Sequence, residues 1–340
     1  MDNTPHSIPP VIAPPAASDS PTRQLFDRIT AEIRKIFVGQ DELVLGTLVA
    51  LFSNGHVLIE SVPGLGKTLF VRTLGRTLGC QFGRIQFTAD LMPSDITGAP
   101  VFNMKTQEFH FLPGPVFTQL LLADEINRSP AKTHAALLEI MQEYRVTVER
   151  TSHKIERPFL VMATQNPIES EGTYNLPEAQ LDRFMFNVHV DYPNMAEEEE
   201  ILAQVSVGEE PEVATVLDAP TLRTRIRLVR RIAVSNYVVS YVARLIRSSR
   251  PADETAPDFV RGYVQWGAGP RAGQYLILAA KALAALDGRA AVAAEDVKDV
   301  AVAVLRHRVA VNFQGAADGV DSVEIIRRLL AGTPEPRAEK

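Results

Sequence analysis

The chain has 340 residues, of which 46% are hydrophobic and 22% are charged, and its formal net charge is −6 at pH 7. No apolar run approaches the ~18 residues that a membrane-spanning helix needs, and the single cysteine, Cys80, excludes an internal disulfide. No Cys/His cluster has the spacing of a zinc site. The acidic balance argues against a protein whose main partner is nucleic acid, since such proteins normally need a basic face. We expect a cytoplasmic protein.

The two ends of the chain differ in composition from the middle. Residues 1–22 contain six prolines with Ala and Ser between them, and they lack the basic start and apolar stretch of a secretion signal. We predict disordered tails at 1–22 and 332–340, an α/β domain at 23–192 and a helical domain at 193–331.

Short apolar runs alternate with helical patterns from residue 24 to residue 190, which is typical of an α/β domain with a largely parallel sheet. The predicted strands are 56–59, 84–87, 119–123, 159–163 and 184–190. Two hairpins are predicted in addition. One lies between Thr97 and Val116, and the other pairs residues 145–149 with residues 154–157.

The pattern changes after residue 193, because the remaining segments are amphipathic or alanine-rich with helical periodicity. The predicted helices are 196–207, 219–232, 237–249, 270–286, 294–308 and 321–331. No further strand is expected in this part of the chain.

A phosphate-binding loop follows the first predicted strand directly, with the sequence Ser61-Val62-Pro63-Gly64-Leu65-Gly66-Lys67-Thr68-Leu69. In such a loop glycines let backbone N–H groups approach the phosphates, a lysine reaches the outer phosphates, and a hydroxyl binds magnesium. Gly64, Gly66, Lys67 and Thr68 supply these groups, and the helix that follows offers its N-terminus to an anion. The strict pattern has glycine at position 61, where this chain has Ser61. The segment predicts a site for a nucleoside triphosphate and Mg²⁺.

Two acids follow an apolar strand in the segment Leu120-Leu121-Leu122-Ala123-Asp124-Glu125. Ligands bind at the carboxyl ends of parallel strands, so Asp124 is placed to hold Mg²⁺ and Glu125 to deprotonate an attacking water. An apolar strand followed by Asp-Glu is common in proteins. Together with the phosphate loop upstream, however, it predicts a hydrolytic site.

Three polar residues are further candidates for the site. Asn166 ends the next predicted strand, where its amide could hydrogen-bond the water or the γ-phosphate; a turn before Pro167 is the competing interpretation. Arg183 begins the last strand and Arg271 begins a helix of the second domain. Either arginine could stabilise the charge that develops in phosphoryl transfer, or form a surface salt bridge.

The combined motifs resemble the MoxR family of AAA+ ATPases. They are residues 122–128 (LADEINR), 137–143 (LLEIMQE), 163–167 (ATQNP), 171–174 (EGTY) and 176–184 (LPEAQLDRF). With the segment 37–40 (FVGQ) and the end of the second domain near 306–308 (RHR), the resemblance covers roughly residues 25–331. It implies an α/β AAA+ P-loop NTPase core with a parallel five-stranded sheet, an all-helical lid domain, and a ring most often of six subunits.

The resemblance also implies roles for individual residues. Nucleotide-binding residues would be Val38, Gly39, Pro63, Gly64, Leu65, Gly66, Lys67, Thr68, Leu69 and Asp124, with Thr68 and Asp124 on Mg²⁺. Glu125 would be the base, Asn166 a polar sensor and Arg183 the finger that reaches the neighbour's nucleotide. Arg271 would be a second sensor, acting in its own subunit or across the interface. The two hairpins look like the helix-2 insert and the pre-sensor hairpin of this branch.

The resemblance further implies a chaperone-like ATPase that remodels or activates a client protein, often beside a partner with a von Willebrand factor A domain. Three alternatives stay open. They are a chelatase-type motor for metal insertion, a nucleic-acid motor, which the acidic balance disfavours, and a scaffold that binds ATP as a switch. The intact pair Asp124 and Glu125 argues against the scaffold, because a switch does not need a hydrolytic base.

Overall fold

The structure, a computed structural model, describes residues 20–166, 173–174, 176–206 and 211–335. Residues 1–19 and 336–340 of the predicted tails lie outside it, as do Pro167, Glu171 and Gly172 of the motifs above. The first helix begins at Pro21 and the last one ends at Gly332, so each extends slightly into a segment that we assigned to a tail. Ser20 caps the first helix, because its Oγ accepts the N–H of Arg23 at 3.1 Å.

The N-terminal half alternates helices and strands. Its helices are α1 (Pro21–Arg34), α2 (Asp41–Ser53), α3 (Lys67–Thr77), α4 (Pro93–Thr97), α5 (Ala131–Glu143) and α6 (Glu178–Leu181). Its strands are β1 (Val57–Ser61), β2 (Phe82–Gln86), β3 (Gly98–Asn103), β4 (Glu108–Pro113), β5 (Leu120–Asp124), β6 (Arg145–Val148), β7 (Thr151–Lys154), β8 (Leu160–Gln165) and β9 (Phe186–Val190). A 3₁₀ turn, Ile126–Arg128, follows β5.

Five of these strands form the main sheet in the order β2-β5-β8-β1-β9, and every neighbouring pair is parallel. The predicted five-stranded parallel sheet is confirmed, with strand ends shifted by at most two residues. Because the strands are parallel, the carboxyl ends of β1, β5 and β8 meet at one edge of the sheet. The phosphate loop and both acids therefore lie at that edge.

A hydrophobic core covers each face of the sheet. On one face Val57, Ile59 and Leu122 pack with α2, α3 and the helical domain. On the other face Leu121 and Val161 pack with α5 and neighbouring segments. Burial on both faces explains why these strands are continuous apolar runs without polar alternation.

Both predicted hairpins are present. The first pairs β3 with β4. The second pairs Arg145 with Lys154 and Val148 with Thr151, so its second strand begins at residue 151, three residues earlier than expected. The physical reason is a two-residue turn in which Glu149 and Arg150 have φ of 47° and 69°, the mirror-image conformation that suits tight hairpins.

The C-terminal half is helical, as expected. Its helices are α7 (Met195–Ser206), α8 (Ala219–Arg230), α9 (Asn236–Ser248), α10 (Asp258–Tyr263), α11 (Pro270–Leu286), α12 (Ala294–Leu305), α13 (Phe313–Ala317) and α14 (Ser322–Gly332). The short helices α10 and α13 were not predicted. The expectation of no further strand was wrong, because β10 (Val264–Trp266) and β11 (Ala310–Val311) form an antiparallel ribbon. Strands this short carry no readable alternation.

Within the residues that the structure describes, no helix is long and apolar enough to cross a membrane.

His56 precedes β1 and is buried with 3% of its surface exposed. Its Nδ1 accepts the N–H of Val161 at 3.0 Å, so Nε2 carries the proton and donates to the carbonyl of Met141 at 3.2 Å. Burial lowers the pKa of His56 from 6.5 to about 4. The ring is therefore neutral at pH 7 and joins β1, β8 and α5.

This burial predicts a pH dependence of stability. The folded-state pKa of His56 lies below the unfolded value, so its contribution is complete above pH 6.5 and is lost as the pH falls toward 4. The loss is about 3 kcal/mol for a shift of this size. We expect the free energy of unfolding to fall more steeply across this window in the wild type than in His56→Gln, whose amide does not titrate. Parallel curves for the two proteins would contradict the assignment.

Candidate active site

The phosphate loop joins the end of β1 to the start of α3. Gly64 and Gly66 have φ of 87° and 71°, a left-handed conformation that glycine adopts at little cost. Gly66 is the residue before α3, so the turn ends directly at the helix N-terminus. The backbone N–H groups and the helix dipole are thereby available to one anion. The expected placement of the loop is confirmed.

Lys67 is held inside the loop by two hydrogen bonds. Its Nζ donates to Ser61 Oγ at 2.5 Å and to the carbonyl of Val62 at 3.0 Å. Burial lowers the pKa of Lys67, while the nearby charges of Asp124 and Glu125 act in the opposite direction. Ser61, the departure from the strict loop pattern, thus supplies an acceptor for the lysine that glycine would lack.

An open cavity of about 300 Å³ lies over the loop and the carboxyl ends of β2, β5 and β8. Its lining residues are Ser61, Pro63, Gly64, Leu65, Gly66, Lys67, Thr68, Arg84, Gln86, Asp124, Glu125, Thr164, Gln165 and Asn166. Val38, Gly39 and Leu69 do not line it. The segment 37–40 is nonetheless adjacent to the loop, because the ring of Phe37 packs on that of Phe70 with centroids 5.0 Å apart.

The carboxylate of Asp124 is fixed from two sides. Its Oδ1 accepts the hydroxyl of Thr164 at 2.7 Å, and its Oδ2 accepts Arg84 Nη2 at 2.7 Å. Thr164 Oγ1 also accepts the backbone N–H of Glu125 at 2.9 Å. One threonine on β8 therefore sets the position of both acids that follow β5.

Glu125 has a left-handed backbone with φ of 56°. Its Oε2 accepts Gln86 Nε2 at 2.9 Å and lies 3.0 Å from Arg128 Nε. The unusual backbone turns the carboxylate out of the strand direction and into the cavity. Asn166 follows β8 at the same edge and also lines the cavity.

Arg183 and Arg271 do not line this cavity. They line a second cavity of about 370 Å³ together with Asn54, His56, Met141, Gln142, Glu143, Tyr144 and Tyr275. Arg183 lies three residues before β9, whose first residue, Phe186, pairs with Val57. The second cavity is therefore at the amino ends of the strands, at the opposite edge of the sheet from the phosphate loop.

The two arginines influence each other electrostatically. Burial lowers the pKa of Arg183, and the positive charge of Arg271 lowers it further. Arg271 Nη1 donates to Asp182 Oδ2 at 3.1 Å. Two guanidinium groups therefore face this cavity, and such groups are suited to bind the oxygens of a phosphate.

Comparison with known proteins agrees with this geometry. Residues 56–186 match the model of the ATPase family associated with various cellular activities, AAA, and residues 259–329 match that of the AAA lid domain. The chain is 43% identical to chaperone MoxR1 of Mycobacterium tuberculosis, over 98% of this chain and 89% of that protein. It is 32% identical to protein MoxR of Methylorubrum extorquens, over 83% of this chain and 86% of that protein.

The chain belongs to the MoxR family of AAA+ ATPases. The crystal structure of a proposed ATPase from Cytophaga hutchinsonii superposes with a TM-score of 0.88 at 38% identity, covering 93% of this chain and 96% of the other. The α/β half is accordingly the AAA+ core of a MoxR-family enzyme that hydrolyses ATP, and the helical half is its lid.

The MoxR-family core offers a chemically suitable place for Mg²⁺. No cluster of three or more metal-binding side chains occurs among the residues described by the structure. Mg²⁺ does not need one in an ATPase, because it keeps several waters and binds through one or two protein oxygens plus the phosphates. Thr68 and Asp124 line the cavity beside the loop, so they fit this ligand set.

Five residues of this MoxR-family site were missed by the sequence reasoning: Ser61 as a lysine partner, Arg84, Gln86, Thr164 and Gln165. Arg84 and Gln86 alternate with buried Ile85, which places both on one face of β2. That signal was readable in the sequence. The strand order that puts β2 beside β5, and hence beside the acids, was not.

Proposed function

We propose that this MoxR-family ATPase works as a ring whose subunits hydrolyse ATP at their interfaces and use the resulting motion to remodel partner proteins. The observation that supports it best is that the groups needed for phosphoryl transfer lie at two opposite edges of the sheet. The loop and the acids lie at one edge of the sheet, and Arg183 and Arg271 lie at the other. A complete phosphoryl-transfer site then needs two subunits.

Within one subunit, the cavity over the loop supplies the binding groups and the base. Lys67 and the loop N–H groups hold the phosphates, and Thr68 and Asp124 hold Mg²⁺, which when bound offsets the phosphate charge. Glu125 accepts the proton of the attacking water, and Asn166 orients that water or the γ-phosphate by hydrogen bonding. The cavity lining includes all five side chains.

Arg183 and Arg271 act on the neighbouring subunit in this proposal. β1 alone separates the sheet edges by about 13 Å, at 3.3 Å for each of its four residue steps. That span is too great for the guanidinium of Arg183 to reach its own loop. In a ring, the second cavity of one subunit would face the nucleotide of the next, and both arginines would stabilise the charge that develops there.

The β3-β4 hairpin is the proposed contact with the client. It exposes five large apolar side chains, which in an isolated subunit face water: Val101, Phe102, Met104, Phe109 and Leu112. Exposed apolar patches of this kind mark interaction surfaces. Strand β3 of the hairpin contacts α4, and α4 contacts α5 of the core. Motion of the core would therefore move this surface.

Family membership supports the remaining parts of the proposal. One relative is named a chaperone, and the family pattern adds a ring of six and a partner with a von Willebrand factor A domain. Client remodelling would then be carried out by the ring together with that partner.

ATP turnover measured across a protein concentration series, with the oligomer mass recorded in the same samples, tests the shared site. We expect turnover per subunit to rise as rings assemble, because a monomer lacks the arginines of its neighbour. Full turnover by dilute monomer would contradict the proposal.

A further inference from the structure

A short segment of the lid, Arg306-His307-Arg308, follows α12 and contacts both ends of β9. His307 Nε2 lies 3.2 Å from the carbonyl of Phe184, just before the strand. Arg306 Nη2 lies 2.9 Å from Nδ1 of His189, near the end of the strand. We call Arg306, His307 and Arg308 the lid clamp.

At the first end, Arg308 is buried, with 2% of its side chain exposed. Its Nε donates to Asp182 Oδ1 at 2.7 Å, and its Nη2 donates to the carbonyls of Asp182 at 2.8 Å and Phe184 at 2.5 Å. Burial lowers the pKa of Arg308, and Asp182 opposes that effect. The same carboxylate binds Arg271, so the lid clamp and the second cavity share one anion.

Another lid residue fixes the finger itself. Tyr275 Oη donates to the carbonyl of Arg183 at 3.0 Å, and the Arg308 guanidinium carbon lies 5.1 Å from the centre of the Tyr275 ring. The backbone that carries Arg183 is therefore attached to the lid on two sides, and the finger must follow the lid when it moves.

At the second end, the lid clamp reaches the base of the phosphate loop. Arginine has donors only, so His189 Nδ1 accepts from Arg306 and His189 Nε2 carries a proton. That proton lies toward Glu60 Oε2 at 2.7 Å. The chain from lid to core is thus Arg306 to His189 to Glu60, and Glu60 is the residue before Ser61 of the loop.

Glu60 connects this chain to the ATP cavity. Its Oε1 accepts Gln165 Nε2 at 2.8 Å and Asn187 Nδ2 at 2.7 Å, and Gln165 lines the cavity beside Asn166. Burial alone would raise the pKa of Glu60, but hydrogen bonds, that of His189 foremost, lower it to about 2. An ionised, immobilised carboxylate therefore joins β8, β1 and β9 at the nucleotide edge.

We propose that the lid clamp couples the phosphate loop of a subunit to the arginine finger that the same subunit offers to its neighbour. Glu60, His189 and Arg306 are positioning residues at the loop end, and Asp182, Tyr275 and Arg308 are positioning residues at the finger end. This inference rests on the proposed function, because a finger acting in the neighbouring subunit gives the coupling its purpose. ATP binding in one subunit would then fix the position of its Arg183 at the nucleotide site of the neighbouring subunit.

A double-mutant cycle on ATP affinity tests the coupling, since two sites that share one rigid element give non-additive effects. The parent is Glu125→Gln, which removes turnover from the measurement, and the probe is the fluorescent analogue mant-ATP with MgCl₂. The variants are Arg306→Ala, Asp182→Asn and both together. Arg247→Gln, an exposed lid arginine paired with Asp253, is the matched control.

We expect Arg306→Ala and Asp182→Asn each to weaken mant-ATP binding about fivefold or more. The double variant should be no weaker than the worse single variant, Arg306→Lys should recover part of the loss, and Arg247→Gln should bind like the parent. If Asp182 acted only on the neighbour's nucleotide, the two effects would multiply. Multiplied effects, or an unchanged affinity in Asp182→Asn, would overturn the coupling.

Asp182→Asn leaves Arg308 buried without its counter-charge, so its thermal midpoint is recorded with its affinity. If that variant does not fold, Tyr275→Phe replaces it at the finger end, since it removes only the hydrogen bond to Arg183. A parent that fails to bind mant-ATP would overturn the proposed function, and the coupling with it. A parent that binds, with variants whose effects multiply, would overturn the coupling alone.

Discussion

Glu125→Gln is expected to reduce ATP turnover by a factor of about 10² to 10⁴, the usual contribution of a general base, while ATP remains bound. Glutamine has nearly the same size and can keep the contacts of Glu125 with Gln86 and Arg128, but its amide cannot accept the proton of water. Lys67, Thr68 and the loop are unchanged, so affinity should be preserved. Single-turnover hydrolysis and mant-ATP binding, measured on the same protein, separate these two effects.

Glu324→Gln is the matched control for this substitution, because Glu324 is an acid on the last lid helix whose partner is Arg328. It should hydrolyse ATP at the wild-type rate. Rapid turnover by Glu125→Gln would remove Glu125 as the base. Loss of binding together with turnover would instead indicate that Glu125 has a role in holding the nucleotide.

Arg183→Ala is expected to lower turnover by about 10³ or more, as removal of an arginine finger does, with little change in ATP affinity. The reason is geometric, since Arg183 lines the second cavity and not the cavity over its own loop. Mixing the variant with Glu125→Gln should restore part of the activity. In mixed rings an Arg183→Ala subunit keeps its base and receives an intact finger from the other variant.

Steady-state turnover across a series of mixing ratios, with ring mass recorded in parallel, measures this recovery. Arg247→Ala serves as the control, because it removes an exposed lid arginine that lines neither of these two cavities. If mixed rings form and no activity returns, the finger does not act between subunits. Wild-type activity of Arg183→Ala alone would exclude Arg183 as the finger.

The elements that the sequence predicted well are those whose signals are local. The five strands of the main sheet are runs of apolar residues bounded by turns, and each was found within two residues of its expected ends. The loop was recognisable from its residue types, and the structure explains its glycines, because Gly64 and Gly66 adopt backbone conformations that glycine favours. Contiguous residues supply the phosphate-binding groups, so no long-range information was needed.

The errors occurred where an element is too short, or a turn too unusual, to leave a pattern in the sequence. The second hairpin turned at Glu149 and Arg150 without the Asn-Gly or Asp-Gly pair that usually marks such a turn, so its returning strand was placed too late. The ribbon β10-β11 joins segments more than forty residues apart, and neither strand is long enough to show a period of two. Helices α10 and α13 are likewise too short for a helical period.

The partners of the catalytic acids could not be predicted in the same way. Thr164 touches Asp124 and Glu125 because β8 pairs with β5, and Arg84 reaches Asp124 because β2 is on the other side of β5. Sequence spacing does not specify which strands are neighbours. Packing of the two hydrophobic faces and the connections between strands decide that order.

By itself, the sequence determined the chemistry of this protein: a phosphate loop, two acids after a strand, and the motifs of the MoxR family. Only the tertiary structure decided that Arg183 and Arg271, 88 positions apart, line one cavity at the far edge of the sheet. The same holds for the lid clamp, which brings Arg308 to Asp182 and Arg306 to His189. Backbone conformation is set by adjacent residues, whereas contacts between distant side chains exist only after the strands have paired and the lid has packed on the core.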